Sequence, residues 1–178
     1  DLVSDDFVLD LSHMGIFSAI LDEISDNELF KKEATKLISE KNRHELMALC
    51  QRYSVDSENQ NALVSLAGIY GNMTETLDRL SPLCISERAR KSYDELKALC
   101  TLLNGTDIAD KIRLDFSVVN DMNYYNGIVF KGFLNGIPEG VLSGGEYETL
   151  MRRIGRKSGA VGFALYLDLL EGFNSTAS

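Results

Sequence analysis

The sequence has no tryptophan, only two prolines and only three cysteines in 178 residues. Cys50, Cys84 and Cys100 form no C-x-x-C pair, so neither a disulfide scaffold nor a zinc-ribbon spacing is present. Cys50 and Cys100 close the apolar helical runs Leu-Met-Ala-Leu-Cys and Leu-Lys-Ala-Leu-Cys. They are expected to be buried, reduced thiols. The two histidines, His13 and His44, stand alone, and no metal or cofactor is expected. No apolar run approaches the roughly 20 residues of a membrane span. No basic stretch followed by an apolar one opens the chain as a secretion signal would. The expectation is a cytoplasmic protein with no membrane partner. Positive charge is also short, with 18 Lys and Arg against 27 Asp and Glu and a net charge of −9. A surface that displaces counterions from phosphates carries the opposite balance, so no nucleic-acid partner is expected. The cluster Arg152, Arg153, Arg156 and Lys157 reads as a solvated loop face.

What is present is a change of texture along the chain. Phe7 to Leu11 is a β-favouring run, and Ile16 to Ile24 reads as an amphipathic helix entered through Gly15. His13, at the junction, is expected to be a hydrogen-bonded structural residue. From Ser25 to Gly105 helical periodicity takes over. Asp26, Asn42, Ser57, Thr74 and Ser86 open helices, and Asn104-Gly105 closes the last of them. After Thr106 the β texture returns: Ile112 to Val119 alternates, Tyr125 to Leu134 is a long strand, and Asn135-Gly136 is a hairpin turn. Val141 begins a third strand that Gly144-Gly145 is expected to break. Gly159 leads to an expected helix from Val161 to Leu170. The resulting division is a discontinuous core of residues 1–24 and 106–173, an all-helical insertion of 25–105 standing as a separate lobe, and a disordered tail of 174–178. The chain starts at Asp1 and enters a strand almost at once, so a longer protein is expected.

The candidate site lies in the last third. Tyr124, Tyr125 and Tyr147 are the residues of interest, with Gly144 and Gly145 beside them. Alternate strand positions face opposite ways, so one of Tyr124 and Tyr125 enters any given pocket. Adjacent glycines remove side chains where backbone comes close to something. A tyrosine offers a flat apolar face and one hydroxyl, which suits a small planar ligand. The residues leave two readings open, a ligand pocket and a set of core aromatics on a half-buried sheet.

Three segments carry a resemblance. Asn123-Tyr-Tyr-Asn-Gly-Ile-Val-Phe130, Ser143-Gly-Gly-Glu-Tyr-Glu-Thr-Leu150 and Gly162-Phe-Ala-Leu-Tyr-Leu-Asp-Leu-Leu170 resemble the two histidine-specific motifs and motif 3 of the histidyl-tRNA synthetase family. The resemblance implies an α+β fold, with an antiparallel sheet of class II aminoacyl-tRNA synthetase type and an all-helical insertion. Motifs 1 and 2 would precede Asp1. The family's enzymes carry Arg-Gly-Leu-Asp-Tyr-Tyr where this chain has Asn120-Asp-Met-Asn-Tyr-Tyr125. They carry Gly-Gly-Arg-Tyr where it has Gly144-Gly-Glu-Tyr147, and Gly-Leu-Glu-Arg where it has Tyr166-Leu-Asp-Leu169. Activating a carboxylate with ATP develops negative charge, and each fixed positive group there is worth on the order of 10²–10³ in rate. The split therefore resembles the family's non-catalytic paralogues, the regulatory subunits of ATP phosphoribosyltransferase.

That resemblance implies no catalytic residues and a role in the first step of histidine biosynthesis and its feedback control. It implies a short-form catalytic transferase subunit as partner, free histidine as ligand, and homodimerisation of the longer protein. Asn120, Tyr124, Tyr125, Gly144, Gly145 and Tyr147 would form the histidine site, with Glu146 and Asn120 making its mouth less cationic than in the enzymes. The alternatives are a fragment of a catalytic histidine–tRNA ligase, or a histidine-sensing domain of another regulator.

Overall fold

The computed structural model describes residues 5–119, 126–155 and 158–176. Its centre is strand β1 (Phe7–His13), which reads Phe-Val-Leu-Asp-Leu-Ser-His and is buried from Asp10 onward. β1 lies parallel to β3 (Ile112–Asp115) and antiparallel to β4 (Ile128–Leu134). β4, β5 (Leu142–Glu146) and β6 (Val161–Leu165) form an antiparallel meander, and β2 (Tyr70–Gly71) joins the far side. The sheet order is β2-β3-β1-β4-β5-β6. The parallel pair is possible because the chain between β1 and β3 is long enough to cross over.

Between those two strands run helices α1 (Met14–Ile24), α2 (Glu28–Ser39), α3 (Arg43–Arg52), α4 (Ser57–Ala67), α5 (Met73–Leu80) and α6 (Glu87–Leu103). Their starts follow side-chain chemistry. Asn42 accepts from the Glu45 amide and Ser86 from the Ala89 amide, as their spacing suggested. For α2 the cap is Asn27 rather than Asp26; its Oδ1 takes the amides of Leu29 and Phe30. α7 (Glu148–Arg153) and α8 (Leu167–Thr176) complete the set.

Several expectations are corrected. The segment 25–105 is not wholly helical, since Tyr70–Gly71 pairs with β3. Nor does it stand apart from the sheet: Phe30, Leu46, Leu49, Leu66 and Leu96 belong to one buried cluster with Leu11, Ile112 and Leu114. Lys41 adds an ion pair to Asp115 of β3 at 2.8 Å. Gly144-Gly145 does not break the third strand, because both residues pair in register with β4. Val161 to Leu165 is a strand, and the helix begins only at Leu167. A short apolar run has no periodicity to separate the two states, and here the free edge of β5 takes it up, with Gly145 opposite Gly162. Asn174 to Thr176 continue α8 rather than forming a tail. The β4–β5 connection keeps Gly136 at φ +90, but it runs on through Pro138 to Gly140 before β5.

Residues that pair across strands share a face of the sheet. Leu9, Leu11, Ile112 and Leu114 face one way, and the last three are buried. α6 lies against α1 and β1 on the core side. Asp10, Arg113, Lys131, Ser143 and Ala164 follow one register line on the opposite face. Ser12, Val129, Gly145 and Gly162 form the next line.

Candidate functional site

The sheet face that carries Asp10 and Ser12, opposite Leu9 and Leu11, bears the chemistry. Of the six expected site residues, Asn120, Tyr124 and Tyr125 lie outside the described residues. Gly144, Gly145 and Tyr147 are described, and register separates them. Gly145 lies on the line with Gly162. A Cβ on Gly162 would come 2.9 Å from the Tyr147 ring, so that ring covers Gly162. The Tyr147 amide donates to the Ala160 carbonyl at 2.7 Å and holds the turn out of β5. Gly144 faces the other way, and a Cβ there would come 2.5 Å from Phe130 Cζ. Its missing side chain makes room for the Phe130 ring and the Gly162 carbonyl. Glu146 also alternates away from Gly145, and its carboxylate lies against Gly127. It does not sit on the glycine line.

Beside that line is a cleft of about 630 Å³, lined by Asp10, Asp115, Lys131, Phe133, Ser143 and Tyr166 among others. Asp115 is 4% exposed and well satisfied: Lys41 donates to Oδ2 at 2.8 Å and the Ser117 amide to Oδ1 at 2.8 Å. Asp10 is 7% exposed, and its Oδ1 is buried without a hydrogen-bond partner. Burial first, and the negative charge of Asp115 second, push its carboxyl up to about 6, against the pull of Lys41, Arg113 and Lys131. Across the cleft the hydroxyls of Ser143 and Tyr166 are 3.0 Å apart. The sequence reading passed over Asp10 and Asp115. The available signal was a carboxylate in the middle of the apolar run Val-Leu-Asp-Leu, with a second one on the alternate face of β3.

A raised carboxyl pKa has a definite sign. Between the unfolded value near 3.8 and the folded value of about 6, the folded state holds more proton than the unfolded one, so this group's contribution to stability falls as pH rises. Asp10→Asn is therefore expected to stabilise the chain by about 1–2 kcal/mol at pH 7.5 and by nearly nothing at pH 3.5. Urea unfolding at the two pH values checks this; an equal effect at both would remove the titration account.

The other candidates have structural roles. His13 is 1% exposed and caps α1, its Nδ1 accepting from the Gly15 amide at 3.1 Å. That bond leaves Nε2 to donate toward Glu95, 3.3 Å away. Burial pushes the imidazole pKa down, and Glu95 pulls it partly back. All three cysteines are buried and free. Burial lifts the Cys84 and Cys100 thiols to about 11, away from the thiolate that redox chemistry needs. Among the described residues no group of three or more His, Cys, Asp or Glu is placed to hold a metal. Among them, too, no helix is long and apolar enough to cross a membrane.

Comparison with known proteins agrees with the geometry. The model of the family described as Histidyl-tRNA synthetase matches residues 2–170. The chain is 28% identical over 170 residues to the ATP phosphoribosyltransferase regulatory subunit of Oceanobacillus iheyensis, covering 96% of this chain and 42% of that protein. It is 29% identical over 171 residues to the regulatory subunit of Geobacillus kaustophilus, covering 96% and 43%. The chain thus spans about two fifths of these curated relatives. A solved Bacillus halodurans protein, described as an ATP phosphoribosyltransferase regulatory subunit/histidyl-tRNA synthetase, superposes with a TM-score of 0.85 at 24% identity, over 93% of this chain and 44% of that one. A chain of the ATP phosphoribosyl transferase complex from Thermotoga maritima superposes with a TM-score of 0.70 at 16% identity, over 92% and 55%. These likenesses fix the fold as the class II synthetase type.

Proposed function

Because the chain belongs to the histidyl-tRNA synthetase family, we propose that it is part of a non-catalytic regulatory subunit of ATP phosphoribosyltransferase. In this reading the cytoplasmic longer protein supports a separate short-form catalytic subunit in the first step of histidine biosynthesis and makes it sensitive to histidine. The relatives' names support the class of function. The observation that supports a non-catalytic reading is the lining of the cleft by Tyr166 and Leu169. Leu169 stands where the resemblance places an ATP-side arginine, and it packs with Leu134, Val141 and Leu170. Tyr166 stands where the resemblance places glycine, and its hydroxyl is tied to Ser143. A leucine in an apolar cluster supplies no charge to a developing acyl-phosphate.

The ligand in this reading is histidine, held between Tyr125 and Tyr147 over the Gly144-Gly145 backbone, with Asn120 and Tyr124 alongside. Without an arginine at position 120 the carboxylate loses a charge-assisted pair, so binding is weak, as a sensor of metabolite levels requires. Homodimerisation of the longer protein belongs to the same proposal.

Catalysis is the point to test. The longer protein carrying this chain is expected to show no histidine-dependent exchange of pyrophosphate into ATP. Exchange clearly above background would replace this reading with a histidine–tRNA ligase.

A further inference from the structure

The Asp10 carboxylate is the group that neither the fold nor the proposed histidine site uses. It sits mid-strand on β1, 7% exposed, and it lines the 630 Å³ cleft. Such a carboxylate is expected to be paired. Four charged groups act on it: Asp115, Lys41, Arg113 and Lys131. All three cations are directed elsewhere. Lys41 Nζ is on Asp115 Oδ2 at 2.8 Å. Arg113 donates to the carbonyls of Asp110 and Ile112. Lys131, whose Cα partner is Asp10, lays its stem against Gly140 and its Nζ 5.3 Å from the Phe133 ring centroid. Among the described residues Asp10 is in no ion pair, and its Oδ1 has no hydrogen-bond donor.

The cleft that Asp10 lines is of a size that holds small molecules. Its far side is the Ser143–Tyr166 hydroxyl pair. Asp10 and Ser143 lie on one register line across β1, β4 and β5, two strand spacings or roughly 10 Å apart at Cα. Acceptor and hydroxyls thus stand on one face of the sheet at a separation that a short aliphatic chain spans, with the Lys131 position between them and Phe133 as an apolar wall.

We propose that this cleft binds a small primary amine, its ammonium received by the Asp10 carboxylate and a neutral hydrogen-bonding end received by Ser143 and Tyr166. A primary ammonium brings the N–H donors that a bare charge lacks. A second positive charge at the far end is disfavoured, because Lys131 stands on the line between Asp10 and Ser143. This rules against polyamines and favours amino alcohols. The site is distinct from the glycine line that Tyr147 covers, and its test does not depend on the regulatory reading.

The probe is 4-aminobutan-1-ol, titrated calorimetrically into this chain at pH 7.5. Butan-1-ol, which lacks the charge, and butyltrimethylammonium, which lacks the N–H donors, are the comparisons. Saturable binding of the amino alcohol is expected, at least tenfold tighter than either comparison, and lost at least tenfold in Asp10→Asn. Binding is also expected to weaken several-fold at pH 5, as Asp10 takes up its proton. The Asn variant keeps the side-chain shape and is expected to fold, which a melting curve checks in the same samples. A second variant, Ser143→Ala, is expected to weaken binding less than Asp10→Asn does. No saturable binding, equal binding of butyltrimethylammonium, or equal binding by folded Asp10→Asn would each overturn the site.

Discussion

Phe30→Ala is expected to destabilise the chain by about 3–5 kcal/mol, the cost of truncating a fully enclosed aromatic. Phe30 is 0% exposed and its ring meets Tyr53 at a centroid distance of 5.2 Å. It lies on α2, inside the segment that the sequence set aside as a lobe. Its buried neighbours form one cluster with Leu11, Ile112 and Leu114 of the sheet. The loss is therefore expected to appear in both parts at once. Urea unfolding followed by helix ellipticity and by hydrogen exchange of β1 and β3 amides should show one shared midpoint, lowered equally by the mutation. A variant whose helices melt first, with the β1 amides still protected at their original level, would restore the separate lobe.

Gly144→Ala is the second large effect. A methyl group there would sit 2.5 Å from Phe130 Cζ and 2.5 Å from the Gly162 carbonyl oxygen. The ring is the far end of a side chain, but the carbonyl belongs to the paired strand β6 and can move only with it. Overpacking of this kind costs about 1–3 kcal/mol, and the backbone contact places the expected value at the upper end. Thermal unfolding of the purified variant measures it. A change within error of zero would mean that β6 does not pair with β5 in this register.

The last third shows what the sequence disclosed and what it did not. The two tyrosine-bearing segments and the glycine pair drew attention to β5 and its turn, where Gly145 pairs with Gly162 and the Tyr147 ring lies over it. They did not separate Gly144 from Gly145, because adjacent glycines look alike until the register with Phe130 and Val129 is known. The run Val161 to Leu165 reads as helix in the sequence because a short apolar stretch has no polar stripe to give a period. Its pairing with β5 is a long-range fact. The caps at Asn42 and Ser86 were legible because their hydrogen bonds close within three residues. Asp10 was passed over for a similar reason. One acid in an apolar strand is unremarkable until Lys41, Arg113 and Lys131 are all seen to point away from it.

In the proposed reading the difference between a synthetase and a regulatory subunit rests on a few positions, among them Tyr166 and Leu169, which line the cleft, and Asn120. The most direct test mixes the longer protein carrying this chain with a short-form ATP phosphoribosyltransferase catalytic subunit and measures transferase turnover with and without histidine. The account predicts that turnover rises when the protein is added and that histidine then suppresses it, while the catalytic subunit alone stays insensitive. Turnover and histidine response both unchanged by the protein would contradict it.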